Sequence, residues 1–473
     1  MRTEDHVRDL KRETIYYGSA MIIGGLVQLA FLPFFSTLLT AAQAGELGAL
    51  RIVSEAIAGI VVLGLPTTLI RFWHRTDAHR ALVKRAVLIP LVPAILIAVV
   101  LFVSRGWLSN VLRLVHPEYL MHALALGIAV AFLQIALSIP RAEGLARRYF
   151  LFSVVRGAAS LALLGILIFA VTKISPIPAF LSSRWIPTFA IVLIAFVMSW
   201  RRTEPSRNEP VPEGLTGGIL AFSMPLVPVS IAMIVLSSAD VFMLRNIYPD
   251  LSESGYYEWA ARACLVLTPL TLGFAMAWQR YIFRKKKEGG QMAELGRSAL
   301  LFMVIVNWAA MLLAMIAPEL TAVVGGPVYL SASSVLPTLA GAGAMYALFM
   351  ISQTGPLLTG QTKFIAGMTI FGALLNIGFN LRLIPVAGAL GAAFATLCTN
   401  LFMALSLFWL GRKVFPISFA AIALIVILPV LFGPLAHLAP LWRSILVISA
   451  SLMTVLIIAG LRKSGTTIEV FGG

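Results

Sequence analysis

The sequence predicts an all-α polytopic membrane protein of about fourteen transmembrane helices: two pseudo-symmetric six-helix bundles followed by two further helices. Three observations predict it. Apolar residues make up 59% of the 473, against roughly 45–50% in a typical soluble domain, while only 12% are charged and mean hydropathy is +0.93. Water cannot solvate that much apolar surface, so lipid is the solvent for most of the chain. Hydrophobic runs of roughly 18–25 residues follow one another, each long enough to cross a hydrocarbon core of roughly 30 Å. The most polar and Pro-rich connection, 201–216 (RRTEPSRNEPVPEGLT), follows the sixth run and divides the chain into lobes of comparable size. A cytosolic enzyme, a secreted disulfide scaffold and a disordered regulator are all excluded.

The runs fall at 14–38, 47–72, 85–103, 120–143, 150–172, 185–200, 217–244, 255–278, 293–317, 333–358, 364–384, 389–410, 417–436 and 442–461. The expected organisation is a first lobe over 1–200, a cytoplasmic linker over 201–216, a second lobe over 217–410, and two extra spans with a tail over 411–473. The charged start Met1–Glu13 leads into a full-length span with no small-residue cleavage site, so no cleavable signal peptide is expected. No loop is long enough for a folded domain, and no Gly-rich phosphate cradle with its Lys is present, so nucleotide hydrolysis by this chain is not expected.

Lys and Arg number 36 against 20 Asp and Glu, a net charge of +16. In a soluble protein that excess suggests nucleic acid; in a membrane protein, basic residues collect in cytoplasmic loops and set the topology. Of the 36, 26 lie on the side of the N-terminus, seven on the opposite side, and three, Arg51, Arg156 and Arg262, within spans. Both termini are therefore expected in the cytoplasm, with membrane lipids as partners and no nucleic acid. The run Arg284–Lys285–Lys286–Lys287 reads as a topology anchor beside anionic headgroups. Cys264 and Cys398 lie in apolar segments and read as small packing residues. The six histidines show no metal spacing, so neither a metal nor a cofactor is expected.

Corresponding segments suggest a repeat of about 210 residues across the two lobes. The second span opens Gly45–Glu46–Leu47–Gly48–Ala49–Leu50–Arg51, and the eighth opens Gly255–Tyr256–Tyr257–Glu258–Trp259–Ala260–Ala261–Arg262. Both end in an aromatic and basic stretch, Arg71–Phe72–Trp73–His74–Arg75 and Arg280–Tyr281–Ile282–Phe283–Arg284. This is the plan of a transporter made of two bundles with the substrate path between them.

An ionisable side chain inside a span costs several kcal/mol unless it is paired or meets water, which makes each one a functional candidate. Arg51 and Glu55 are four residues apart and share a helix face, and Glu258 and Arg262 repeat that spacing in the opposite order. Each pair is either a set of cavity ligands or an internal salt bridge that fixes helix packing. Arg156 either snorkels to the cytoplasmic interface or carries an anion onward, and Arg71 reads as a snorkelling topology residue. Asp240, after about twenty-three residues of the seventh span, sits either at the outer interface or in the path. Asn376 and Asn380, together with Gln28, Gln134, Asn307, Gln353 and Asn400, are either helix–helix hydrogen-bond glue or ligands.

Three stretches resemble a known family. Gly64–Leu65–Pro66–Thr67–Thr68–Leu69–Ile70–Arg71–Phe72 resembles the end of the second span of polysaccharide-repeat flippases, and Phe222–Ser223–Met224–Pro225–Leu226–Val227–Pro228 with Ser238–Ala239–Asp240–Val241–Phe242–Met243–Leu244 resembles their seventh. Leu375–Asn376–Ile377–Gly378–Phe379–Asn380–Leu381–Arg382–Leu383–Ile384–Pro385, then Gly388–Ala389–Leu390–Gly391–Ala392–Ala393–Phe394–Ala395–Thr396, is similar to the pattern of their eleventh and twelfth spans. The family is the Wzx-type oligosaccharide flippases of the multidrug/oligosaccharidyl-lipid/polysaccharide exporter (MOP) superfamily. The resemblance implies a V-shaped pair of bundles in the bacterial inner membrane that works by alternating access and has no catalytic residues. It implies a lipid-linked oligosaccharide on undecaprenyl pyrophosphate as cargo, and the polysaccharide polymerase machinery as a neighbour. Arginine's fixed fork of donors suits such a pyrophosphate. Related peptidoglycan-precursor flippases carry a functional Arg early in the eighth span, which Arg262, in Ala260–Ala261–Arg262, resembles.

Two rivals belong to the same superfamily: a cation-coupled drug antiporter, whose acids would be Glu55, Asp240 and Glu258, and a peptidoglycan-precursor flippase. A membrane polymerase or glycosyltransferase would need catalytic carboxylates or histidines on long loops, and this chain has no such loops.

Overall fold

In the computed structural model, residues 2–73, 78–169, 175–203, 214–224, 227–271 and 292–412 are described, with short pieces between 274 and 282 and between 436 and 448. The thirteenth and fourteenth expected spans and the basic run 284–287 lie outside or almost wholly outside these residues. Every regular element among the described residues is helical, and eight helices are long and apolar enough to cross a membrane. Helix is the form in which lipid-exposed backbone satisfies its own polar groups.

The helices are α1 (Arg2–Leu38), α2 (Ala41–Val62), α3 (Leu65–Trp73), α4 (His79–Val111), α5 (Tyr119–Ala142), α6 (Ala146–Phe169), α7 (Pro176–Arg202), α8 (Leu215–Ser223) and α9 (Val227–Ile247). They continue with α10 (Ser252–Cys264), α11 (Met292–Met315), α12 (Ala317–Leu320), α13 (Ala332–Ser352), α14 (Thr354–Thr359) and α15 (Thr362–Gly411). The expected second span is broken into α2 and α3 by Leu63 and Gly64, both at positive φ (47° and 66°). The sixth span begins at Pro176 rather than 185. Arg184, which the sequence assigns to an outer loop, therefore lies inside a helix.

The chain forms two compact units: residues 1–30 with 46–242, and residues 31–45 with 243–473. In the first unit α5 is the central post, packed on α3, α4 and α7, and most of its side chains are buried. At Gly127 a Cβ would lie 2.7 Å from the Ser54 carbonyl oxygen and from Ile57, so glycine lets α2 and α5 come into backbone contact. α4 instead turns Leu88, Val92, Ile95, Leu96, Val99, Val100 and Val103 outward, as a lipid-facing helix does.

In the second unit α13 is the buried post, packed on α11, α10 and α15. α15 contains two spans joined at a sharp turn after Pro385, where Ala387 (φ −136°, ψ 15°) and Gly388 (φ 53°, ψ −130°) leave helical geometry. The Gly388 conformation is open to glycine and strained for other residues. A Cβ there would also strike the Glu253 carboxylate, whose Oε2 accepts the Ala389 N–H at 2.7 Å. The motif glycine between the eleventh and twelfth spans thus makes room for a carboxylate that caps the twelfth. Gly45 and Gly255, matched in the sequence repeat, lie at one helix crossing in this unit. A Cβ on Gly45 would meet the Ser254 side chain, and one on Gly255 would meet the Ala41 carbonyl.

Candidate functional site

The first-unit pair stands on α2. Arg51 Nη1 donates to Glu55 Oε1 at 2.6 Å, with side chains 25% and 39% exposed. The second carboxylate oxygen of Glu55 accepts from Ser238 on α9 at 2.9 Å. One turn further along α2, a Cβ on Gly59 would touch the Ile234 side chain, so α2 and α9 run antiparallel in close register, 55 against 238 and 59 against 234. Ser238 was not among the sequence candidates. Only the register of two distant helices exposes its role, although it lies two residues before Asp240. Asp240 is 2% exposed, about 10 Å from the C-terminal end of α9.

The second-unit pair stands on α10. Glu258 Oε1 accepts from Arg262 Nη2 at 2.8 Å, with the carboxylate side chain 1% and the arginine 10% exposed. The guanidinium carbon of Arg262 lies 4.6 Å from the Phe35 ring centroid, a cation–π distance. Trp259, beside it, donates to Ser36 Oγ at 2.8 Å, and Tyr329 donates to the Leu39 carbonyl at 3.0 Å. Burial pushes the Tyr329 phenol up, so its hydroxyl remains a donor. The segment 31–45 is thereby seated on α10 and the 3-10 turn Pro327–Tyr329.

Asn376 and Asn380 are fully buried on the first half of α15, and Asn380 Nδ2 donates to Asn376 Oδ1 at 3.0 Å. Asn400 donates to the Ala342 carbonyl of α13 at 3.0 Å, which is helix–helix bonding. Arg156 is half-buried on α6, and its Nε, closed to solvent, has no hydrogen-bond partner among the described residues. Gln28 accepts from Arg184 Nη2 at 2.9 Å. Arg71 lies exposed in the last turn of α3 over the Phe222 ring, 4.2 Å from its centroid. Arg51, Glu55, Asp240 and Arg156 belong to the first unit, and Glu258, Arg262, Asn376 and Asn380 to the second. Among the described residues no three His, Cys, Asp or Glu side chains are grouped to hold a metal ion.

Arg443 uses the terminal nitrogens of its guanidinium structurally. Arg443 donates to the Met315 carbonyl at 2.7 Å, capping the end of α11, and its two terminal nitrogens reach both Glu319 oxygens at 2.8 and 2.6 Å. That bond holds the Glu319 carboxyl below its ordinary value.

Known proteins share this fold. The lipid II flippase MurJ, in an inward closed conformation, superposes with a TM-score of 0.69 at 13% identity, over 96% of this chain and 99% of that one. An inward-facing multidrug resistance MATE family transporter of the MOP superfamily gives 0.60 at 16% identity, over 83% and 98%. The MATE transporter VcmN of Vibrio cholerae, as a mutant, gives 0.60 at 15% identity, over 87% and 98%. No curated protein matches by sequence. A family model described as polysaccharide biosynthesis protein matches residues 10–285. That is more than half of a multi-pass helical membrane protein with the MOP transporter fold, and the chain belongs to the polysaccharide biosynthesis protein family.

Proposed function

We propose that this protein is a flippase. It moves a lipid-linked oligosaccharide repeat unit, carried on undecaprenyl pyrophosphate, from the cytoplasmic to the periplasmic leaflet of the bacterial inner membrane, where surface polysaccharide is assembled. It works by alternating access, without chemistry on the cargo and without a cofactor. Both termini are cytoplasmic, and the polysaccharide polymerase machinery receives the product. The observation that carries this reading is the character of the charges within the spans. The basic groups identified there are arginines, and each of the two candidate glutamates is ion-paired to one of them: Glu55 to Arg51 and Glu258 to Arg262. Arginine forks suit a pyrophosphate, and a carboxylate already paired with arginine is a poor carrier of exchangeable protons. Arg51, the more exposed of the two, is the first ligand for the anionic head, and Arg262 the second.

Asp240 favours the rival reading. A buried carboxylate on α9 is what a cation antiporter would protonate and release. The deciding measurement is the leaflet distribution of lipid-linked oligosaccharide in cells with and without the gene. Completed repeat units accumulating on the cytoplasmic face of the deletion strain are expected. An unchanged pool, together with gradient-driven uptake of a cationic dye, would give the antiporter reading.

A further inference from the structure

Apolar side chains exposed along a span meet lipid; the same exposure on a connection between spans needs another reason. The connection from α11 to α13 carries such side chains. It is built of α12, one π turn over Thr321–Gly325 and the 3-10 turn Pro327–Tyr329. Two of its hydroxyls turn back on the protein: Thr321 donates to the Ala317 carbonyl at 2.9 Å, and Tyr329 to the Leu39 carbonyl. Ile316, Val323, Val328 and Leu330 are exposed instead, Val323 to 84%. The single charged residue of 316–330 is Glu319, and Arg443 meets both its carboxylate oxygens.

Arg443 arrives at the end of a second strip of the same kind. Residues 438–442 carry no charge, and Leu438, Leu441 and Trp442 are exposed. Beyond Arg443, Ile445 and Ile448 are exposed as well, so the apolar surface continues from this strip into the residues that follow. The ion pair thus fastens two uncharged strips together, at the end of the second unit where Leu39 sits. The connection 248–251 lies at that same end, since Gly255 of α10 abuts the Ala41 carbonyl. It exposes Pro249 and Asp250, as a connection in water does. Exposed valine, leucine and tryptophan beside a neutralised acid are instead the surface of a segment lying in the lipid interface. Tryptophan favours the headgroup level there, and a bidentate arginine lowers the cost of taking a carboxylate out of water.

We propose that 316–330 and 438–442 form a ledge that lies in the boundary between headgroups and acyl chains of one leaflet, with phospholipid as its partner. The Arg443–Glu319 pair is what keeps it there, because it cancels the one charge the ledge would otherwise carry into lipid. Tyr329 belongs to the ledge and holds Leu39, so the ledge also sets the depth at which the segment 31–45 is held. None of this depends on the nature of the cargo.

The test places a nitroxide at Val323→Cys in the full-length protein carrying Cys264→Ala and Cys398→Ala, in nanodiscs of phosphatidylethanolamine and phosphatidylglycerol. Power saturation compares its accessibility to oxygen, which partitions into lipid, and to a water-soluble nickel chelate. Val99→Cys on the exposed face of α4 gives the lipid reference and Asp250→Cys the water reference. The oxygen-to-nickel ratio at 323 is expected to exceed that at 250 by about fivefold or more, and a label at Leu441→Cys is expected to agree. Arg443→Met is expected to bring the ratio at 323 down toward the water reference, and Arg443→Met with Glu319→Gln to restore it. The location is read with the pair intact, so it is decided even where Arg443→Met fails to fold. A ratio at 323 and 441 no higher than at 250 overturns the ledge and makes the apolar strips a face for a protein partner. A ratio that stays high in folded Arg443→Met overturns the role of the ion pair and leaves the ledge standing.

Discussion

Arg51–Glu55 in the first unit and Glu258–Arg262 in the second use the same two residue types at the same spacing, but the two pairs are physically unlike. The first is partly open to solvent, 25% and 39% exposed, and its carboxylate is shared with Ser238. The second is closed, 10% and 1% exposed, with its arginine lying on Phe35. Its order is also the favoured one. Glutamate precedes the cation, and Arg262 stands in the last turn of α10, where the helix dipole favours positive charge. Arg51 lies mid-helix and ahead of its acid. An open pair can exchange partners, whereas a closed pair holds structure and gives up its arginine only when something else meets the buried carboxylate. In this chain the two pairs differ in what they touch: the open one meets the Ser238 hydroxyl, and the arginine of the closed one lies on Phe35 of the segment 31–45.

The strongest way to break that comparison is Arg262→Ala. It strands the Glu258 carboxylate in a buried site and is expected to cost roughly 3–5 kcal/mol, read as a fall in thermal midpoint in detergent. Glu258→Gln combined with Arg262→Met removes both charges and is expected to recover most of the loss. A double variant no better than the single one would show that the charge pair is not what makes the region stable.

Arg443–Glu319 sharpens the comparison because one partner is buried and the other exposed, 9% against 56%. Its effect is expected to fall between those of the other two pairs. The Glu319 carboxyl is held below its ordinary value by the Arg443 hydrogen bond. Its contribution is therefore complete above the ordinary carboxylate range and is lost as pH falls through the lowered value. Thermal midpoints from about pH 6 down to about pH 3 are expected to drop more steeply in the parent protein than in Arg443→Met. Parallel curves would remove the pair from the account.

The smallest expected effect on stability is that of Arg51→Ala, within about 1 kcal/mol because the pair is half-open to water. Transport in a complementation assay is nonetheless expected to fall at least about tenfold, with partial return in Arg51→Lys. A loss of stability equal to that of Arg262→Ala would erase the distinction between the two arginines.

Composition and run length alone made the helical membrane fold legible, and the i, i+4 spacing announced both pairs before any coordinates. The turn after Pro385 was readable too, since Ile384–Pro385 followed by Gly388 interrupts an otherwise continuous apolar stretch. Arg184 was hidden because Pro176, Pro178, Ser182 and Ser183 dilute the hydropathy at the start of α7, so a window average begins the helix too late. Ser238 opposite Glu55, Phe35 beneath Arg262 and Glu253 at the Ala389 amide are encounters between residues far apart in sequence. Nothing local signals them, because a hydroxyl, a phenyl ring or a carboxylate looks the same in sequence whether or not a distant helix meets it.

The Glu253 contact bears on how the protein is made. The start of the twelfth span is capped by a carboxylate 136 residues earlier in the chain, where many helices supply their own cap within a turn. The eleventh and twelfth spans can enter the bilayer as a hairpin, but the turn at Gly388 acquires its partner only when α10 docks against it. The cap of that turn therefore depends on a tertiary contact and not on its own sequence alone.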